Sequence, residues 1–223
     1  MLTVALAAGG AAVAMPGAAR AATCSLTGGG SLPSCTSSGT VTLTTGTLTM
    51  VAPPTLTWGA HITGATQTIY DTLDSDTTLD VLDLRGLAAA DIGSGWNITA
   101  TATAFDSTHG PIPDSTGGQV LAFGGGSTSG TASNVPSSVC VTTGGCVAAT
   151  TDLATFPLFI PTNGTTSVKI YNATAGTGTG TVQVGSDLAV PATNPAVWSV
   201  TLPGSLPADT YSSTITTTVA AGP

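Results

Sequence analysis

The sequence predicts an all-β protein: an antiparallel β-sandwich or flattened barrel of about ten strands, with a disulfide-stapled N-terminal arm. Apolar and polar residues alternate with a period of two, and segments rich in Gly, Pro, Asn, Asp and Ser separate these runs. Glu is absent and Lys occurs once, although surface helices depend on such residues. With 6% charged and 41% hydrophobic residues, the composition excludes a helical bundle but can fill a core.

The alternating runs place the predicted strands in order along the chain. The clearest run extends from Trp96 to Ala104, with apolar residues at even positions and Asn or Thr at odd positions. Leu56, Trp58 and Ala60 alternate in the same way with polar or small residues and predict another strand. The other predicted strands cover 41–43, 48–50, 120–123, 156–160, 168–171, 182–184, 198–202 and 211–219.

The first 21 residues have the features of an export signal. An apolar stretch of about 13 residues is too short to span a membrane, and Ala19-Arg20-Ala21 fits a small-x-small cleavage pattern. We therefore expect a secreted protein with no membrane insertion. The remaining chain is predicted to form an N-terminal arm with the first strand or strands (22–50) and a β-sandwich domain (51–223).

The charge balance limits the classes of partner. The chain has 11 acidic and 3 basic residues, which gives a formal net charge of −8. Nucleic acid requires Lys and Arg to neutralise its phosphates, so we expect no nucleic acid partner. The same balance disfavours binding to anionic lipid surfaces.

Four cysteines predict disulfides in an exported chain, and three pairings can be drawn among Cys24, Cys35, Cys140 and Cys146. Proximity in sequence favours Cys24 with Cys35 and Cys140 with Cys146. A zinc site is the less favoured interpretation, because the chain has no CxxC and its two His lack ligand spacing.

Carboxylates concentrate in the segment that contains Asp71, Asp74 and Asp76. Their oxygen atoms are ligands that calcium prefers, so a calcium site is one interpretation. The other is that these residues solubilise a loop and stabilise turns. No other cofactor is predicted.

A short motif follows at Asp83, Arg85 and Gly86, in the sequence Asp-Leu-Arg-Gly. Beyond residue 21 the chain has only Arg85 and Lys169 as strong cations, so we expect the Arg to pair with Asp83 or a neighbouring carboxylate. This predicts a structural turn that anchors a loop against the sheet. Contact with a ligand is the alternative.

No constellation predicts catalysis. The chain has no Gly-x-Ser-x-Gly nucleophile elbow, and its two His residues do not lie in the context of a triad. Paired carboxylates could suggest glycoside hydrolysis, but the few aromatic residues fall mostly on apolar faces of predicted strands. We therefore expect a protein that is not an enzyme.

From residue 56 onward, the order of motifs resembles the WxL domain of Gram-positive cell-surface proteins. In that family an Asp-x-Arg-Gly turn precedes a Gly-Trp-x-Leu strand, and the last strand contains Tyr-x-x-x-Leu-x-Trp-x-Leu. The counterparts here are Leu56-Thr57-Trp58-Gly59, Asp83-Leu84-Arg85-Gly86, Gly95-Trp96-Asn97-Ile98, Val200-Thr201-Leu202-Pro203 and Tyr211-x-x-x-Ile215-x-Thr217-x-Val219. This chain departs from the pattern at Ile98 and Val219, which replace Leu, and at Thr217, which replaces the second Trp.

The resemblance implies a cell-surface protein attached non-covalently to the wall through peptidoglycan or a wall polysaccharide, beside other surface proteins. Glycan binding uses aromatic faces, and Trp96, Trp198 and Tyr211 are the candidates. For both Trp residues the alternative is a place in the core, because they alternate with polar residues on amphipathic strands.

Two other functions compete with wall binding. Predicted edge strands that lack Lys could pair between subunits, which would make the protein a self-associating surface-layer or filament subunit. A calcium-dependent adhesion module would instead depend on the Asp cluster.

Overall fold

The computed structural model describes residues 41, 46–70, 78–85, 94–114, 120–124, 135–142, 145–185 and 198–222. These residues contain strands and no helix, so the prediction of an all-β fold is confirmed. The strands are β1 (Leu48–Val51), β2 (Gln67–Tyr70), β3 (Leu79–Asp83), β4 (Trp96–Ala102), β5 (Leu121–Phe123), β6 (Ser138–Cys140), β7 (Leu158–Ile160), β8 (Val168–Ala173), β9 (Gly180–Val184), β10 (Trp198–Leu202) and β11 (Ile215–Ala221). The chain divides into two compact units, 1–43 and 44–223, and all eleven strands belong to the second.

The strands pair antiparallel in three sheets. Their orders are β1-β3-β9-β6, β2-β10-β5-β7 and β11-β4-β8. Over the described ranges no sheet closes on itself, so the flattened barrel is not the architecture. Most neighbours in a sheet are far apart in sequence, as with β2 and β10, so the fold depends on long-range pairing.

One core lies between the three sheets. Strand β4 shows the predicted alternation, because the side chains of Trp96, Ile98, Ala100 and Ala102 are at most 1% exposed while the residues between them are half-buried. Each sheet contributes further apolar side chains to the same cluster: Leu79, Val81, Val182 and Val184 from the first, Leu121, Phe123, Trp198 and Val200 from the second, and Ile170 and Tyr171 beside β4 in the third. Burial of such side chains stabilises each of them by roughly 1.5–3 kcal/mol relative to exposure.

Strands β4 and β11 are hydrogen-bonded neighbours over seven residue pairs. Ile98 lies opposite Val219, and Ala100 lies opposite Thr217. Since directly opposite residues project to the same face of a sheet, Thr217 faces the interior while Thr216 and Thr218 are exposed. The two strands that carry the Trp motifs of the resemblance therefore lie side by side.

One predicted strand was wrong. Residues 56–60 have no ladder partner, although Leu56 and Trp58 are half-buried as their alternation indicated. Pro53 and Pro54 lack the N–H groups that a ladder needs, so they end the pairing that begins in β1 before this segment is reached. The short strands β2, β3 and β6 were not predicted from the alternation.

Candidate functional site

The predicted pair between Asp83 and Arg85 is present at the end of β3. Nε of Arg85 donates to Oδ1 of Asp83 at 2.9 Å, and Nη2 donates to Oδ2 at 2.8 Å. The side chain of Arg85 is 16% exposed and that of Asp83 is 7% exposed, so the pair is largely shielded from water. Burial by itself would raise the pKa of Asp83, but the hydrogen bonds and charge of Arg85 outweigh it and hold that pKa below its ordinary value.

The same guanidinium connects this turn to the start of β4. Nη2 of Arg85 also donates to the backbone carbonyl oxygen of Gly95 at 2.8 Å, directly before Trp96. The backbone N–H of Gly222 donates to the same oxygen at 3.1 Å, and Nδ2 of Asn97 donates to the carbonyl oxygen of Gly222 at 2.7 Å. One hydrogen-bonded unit thus joins the Asp-x-Arg turn, the first Trp motif and the end of β11.

Trp96 lies in the core and is 0% exposed. Its Nε1 donates to the carbonyl oxygen of Gly178 at 2.8 Å, and its ring stacks on Tyr171 with centroids 5.6 Å apart. An indole in this position has no face available to a sugar. Of the two interpretations that the sequence allowed for Trp96, glycan contact and a place in the core, the second is therefore correct. Burial also raises the pKa of the Tyr171 hydroxyl to about 12.

Trp198 is also buried, at 1% exposure, and it meets Phe123 edge to face with ring centroids 4.8 Å apart. Its Nε1 is buried, and no described atom accepts a hydrogen bond from it. Trp198 therefore has a core environment as well, but without the polar contact that fixes Trp96.

Tyr211, the third aromatic candidate, has a different environment. It is half-buried and lines an open groove of about 690 Å³, within the roughly 300–1,000 Å³ range of typical ligand sites. The segments 52–63 and 203–213 form the two sides of this groove. Strands β2, β3, β10 and β11 and the loop after β4 complete it. Their lining residues are Gln67, Ile69, Leu79, Phe105, Ile112, Trp198, Val200, Leu202, Ile215 and Thr217.

Trp58, which is half-buried like Tyr211, also lines the groove. Its Nε1 donates to the carbonyl oxygen of Trp198 at 3.2 Å, and its ring lies edge to face against Phe105 with centroids 5.9 Å apart. The hydroxyl of Tyr211 donates to the carbonyl oxygen of Pro207 at 3.2 Å. Both rings are therefore held in place by contacts within the protein.

Polar side chains accompany these rings in the groove. Hydroxyl and amide groups come from Thr57, Thr63, Gln67, Ser213 and Thr217, and a carboxylate comes from Asp209. None of the described residues that line the groove is Lys, Arg or His. The groove thus combines apolar and aromatic surface with uncharged hydrogen-bonding groups and one acid.

Asp209 connects the rim of the groove to the loop after β4. Its Oδ2 accepts from Oγ1 of Thr108 at 2.7 Å and lies 2.9 Å from Nδ1 of His109. Hydrogen bonds from Thr108, from His109 and from the backbone N–H of Thr210 hold the pKa of this carboxyl well below its usual range. Asp209 therefore stays negatively charged in mildly acidic surroundings.

The remaining predicted site residues are distributed as follows. Cys140 and Cys146 form a disulfide beside β9, with Cα atoms 5.9 Å apart. Cys24, Cys35, Asp71, Asp74, Asp76 and Gly86 lie outside the described residues. Elsewhere, the described ranges hold no group of three or more His, Cys, Asp or Glu arranged for a metal ion.

Of the residues that line the groove, only Tyr211 and Trp198 were predicted from the sequence as site residues. Trp58 was interpreted as part of a strand, and Thr217 was noted only as a departure from a motif. The prolines in both segments are a signal that could have pointed to the groove, because Pro is rare inside sheets and marks segments that lie beside them. They are Pro53, Pro54, Pro203 and Pro207.

Comparisons with known proteins agree with the motif order. The family model described as "WxL domain surface cell wall-binding" matches residues 33–223. Neither the curated proteins nor the solved structures gave a match. No helix in the part of the chain that the structure describes is long and apolar enough to cross a membrane. Since the family model covers most of the sequence, the chain belongs to the WxL domain family of surface cell wall-binding proteins.

Proposed function

We propose that this cell-surface domain holds the protein non-covalently on peptidoglycan or another wall polysaccharide, and that the glycan binds in the groove. The observation that carries the proposal is the pairing of Trp58 and Tyr211 with hydroxyl and amide groups in one open cleft. Sugars bind through their apolar ring faces and their hydroxyl groups, and this lining offers partners for both.

The burial of the other aromatic candidates also favours the groove. Trp96 is 0% exposed and does not line the groove, and Trp198 lines it but is only 1% exposed, so neither indole offers a face to a polymer. Tyr211 and Trp58 line the groove and are half-buried. Among the aromatic residues considered, these two are therefore the ones we assign to glycan contact.

The proposed role is attachment without catalysis. Two observations support this part of the proposal: the sequence has no nucleophile elbow or triad, and Asp209 is the one carboxylate among the described residues that line the groove. A glycosidase of the usual kind needs two carboxyl groups on either side of the scissile bond. The purified protein should accordingly release no reducing sugar from cell walls.

A sedimentation assay tests the proposal. The purified protein is mixed with insoluble peptidoglycan, and the bound fraction is measured after centrifugation for the wild type, Tyr211→Ala and Tyr70→Ala. Tyr70 is the matched control, because it is half-buried on β2 but does not line the groove. We expect Tyr211→Ala alone to lose binding, by roughly tenfold in Kd or more, since an aromatic contact residue at a binding site contributes 1–2 kcal/mol or more.

Two results would contradict the proposal. Equal sedimentation of all three proteins would show that the groove is not the binding site. Sedimentation of the wild type in a tube without peptidoglycan would instead favour the self-associating subunit. The calcium-dependent adhesion module stays a prediction, and a chelator added to the same assay tests it.

A further inference from the structure

We propose that the free edge of β2 binds an extended segment of another protein by strand addition, so that the backbone of the partner pairs with the backbone of β2. This site differs from the glycan contacts proposed above and does not depend on them. Three features carry the inference: the direction of the backbone groups of β2, the cavity beside this strand and the charge of the chain.

The pairing with β10 determines which backbone groups of β2 point outward. β2 is the terminal strand on its side of the second sheet, and β10 is its neighbour. The N–H of Thr201 on β10 donates to the carbonyl oxygen of Val120 at 2.8 Å, away from β2. Since backbone groups alternate in direction along an antiparallel strand, the residues on either side of Thr201 point toward β2. They bond there with their register partners, Gln67 and Ile69.

The outward groups of β2 therefore belong to Thr68 and Tyr70. No described residue bonds to the backbone N–H or C=O of either one. Oγ1 of Thr68 lies 3.0 Å from Oγ1 of Thr201, as expected where paired residues do not exchange backbone hydrogen bonds and their side chains approach closely. Thr68 is exposed, and β2 has no Lys or Pro that would protect an edge from pairing. These four backbone groups can accept another strand.

A cavity of about 480 Å³ borders β2 and is open to solvent. Residues of the segment 59–63 line one side of it, and Gln67 and Ile69 line the other. Nε2 of Gln67 donates to the carbonyl oxygen of His61 at 2.8 Å, but the described residues show no backbone hydrogen bond between the segment and β2. Alternate side chains of an added strand project to the face of Ile69, where this cavity and the 54% exposed Ile62 offer apolar contacts.

The charge of the chain favours a segment of a different protein over a second copy. The formal net charge is −8, so two copies repel each other. None of the described residues that line the cavity is Lys or Arg, and β2 itself carries no charge. The matching segment is therefore extended and uncharged or basic, with apolar side chains at alternate positions.

The probe is a short synthetic peptide of alternating Val and Thr with a Lys at each end, and its binding is measured by fluorescence anisotropy. Thr68→Pro removes the outward N–H but leaves the ladder with β10 intact, since an edge strand accepts Pro where its N–H faces solvent. Thr68→Val is the matched control, because it keeps this N–H and loses only the hydroxyl. We expect the wild type and Thr68→Val to bind equally and Thr68→Pro to bind at least about tenfold more weakly. The fully N-methylated peptide, which has no backbone donors, should not bind.

Amide hydrogen exchange of the wild type gives a second measurement that does not require Thr68→Pro to fold. The amides of Gln67 and Ile69 should exchange slowly without the peptide, because they bond to β10. The amides of Thr68 and Tyr70 should exchange rapidly in the free protein and slowly when the peptide is present.

Three results would overturn the inference. The first is a wild type that neither binds the peptide nor slows exchange at Thr68 and Tyr70. The second is equal binding of the peptide and its N-methylated form, since backbone pairing would then play no part. The third is a concentration-dependent dimer that Thr68→Pro abolishes, which would assign the edge to a second copy. Thr68→Pro should still sediment with peptidoglycan as the wild type does, and Tyr211→Ala should still bind the peptide. Loss of both ligands in either folded variant would contradict two separate sites.

Discussion

The guanidinium of Arg85 donates at 2.8 Å to the carbonyl oxygen of Gly95, the residue that immediately precedes the buried Trp96. A single side chain thus connects the turn after β3 to the start of β4. The same carbonyl oxygen accepts from the backbone N–H of Gly222, so the turn after β3 and the residue after β11 both bind at the start of β4. This relationship leads to predictions about stability that do not depend on the ligand.

Replacing Arg85 by Ala should lower the free energy of unfolding by about 3 kcal/mol, because the shielded carboxylate of Asp83 loses its partner. The measurement is urea denaturation. Lys169→Ala is the matched control, since it removes the same charge from a residue outside the Asp83 pair, and it should change stability by no more than about 0.5 kcal/mol. If both variants lose the same free energy of unfolding, the contacts of Arg85 contribute no more to stability than an unpaired surface charge does.

Asp83 should make the stability of the fold dependent on acid pH. Its pKa in the folded protein lies below its ordinary value of 3.8, so its stabilising contribution is complete above that value and is lost as the pH falls through the folded pKa. The free energy of unfolding of the wild type should therefore fall more steeply on acidification than that of Asp83→Asn. Parallel curves for the two proteins between pH 5 and pH 2.5 would contradict this prediction.

The two buried indoles should respond differently to replacement by Phe. Trp96→Phe removes the hydrogen bond to the carbonyl oxygen of Gly178 and leaves that acceptor buried, whereas Trp198→Phe removes an Nε1 for which the described residues supply no acceptor. We expect Trp96→Phe to cost about 1–2 kcal/mol more than Trp198→Phe in thermal or urea unfolding. A larger loss for Trp198→Phe would argue against this account.

The same two variants also separate stability from wall binding. Since both indoles belong to the core, the folded fraction of Trp96→Phe and of Trp198→Phe should sediment with peptidoglycan as the wild type does. If a variant that is fully folded in the assay loses binding, the indole that it lacks contacts the glycan and the prediction is wrong.

Gly95 should tolerate no side chain. It has a φ of 65°, and a Cβ atom built on it would overlap the carbonyl oxygen of Ala173 on β8. Gly95→Ala should therefore lower stability by about 3 kcal/mol or more, which combines left-handed strain with a steric clash. Gly176 has a φ of 83° with no atom within 4 Å of such a Cβ, so Gly176→Ala measures the strain alone, about 1–2 kcal/mol.

The structural features that involve residues close together in the sequence could be predicted from it. The alternation from Trp96 onward predicted both the strand β4 and its inward face, because the pleat fixes side-chain direction with a period of two. The pair between Asp83 and Arg85 followed from the scarcity of cations and from their separation by one residue. The disulfide between Cys140 and Cys146 is present where their proximity favoured it.

The groove could not be predicted because it depends on which segments meet. The alternation of Leu56 and Trp58 indicates that they share a face, but it does not specify whether that face belongs to a strand or to the wall of a cleft. Thr217 lines the groove only because β11 pairs with β4 in a register that places it opposite Ala100. Such a register is set by contacts between residues more than one hundred positions apart, and no local signal encodes it.

The commitment of Arg85 also affects how the protein withstands proteolysis outside the cell. Beyond residue 21 the sequence offers only Arg85 and Lys169 to proteases that cut after basic residues. The Arg85 side chain is 16% exposed and bound to a carboxylate, while Lys169 lies within a hydrogen-bonded strand. Recognition of Arg85 by an enzyme of the trypsin type would therefore first require the carboxylate pair to break, and cleavage after Lys169 would require β8 to leave its sheet.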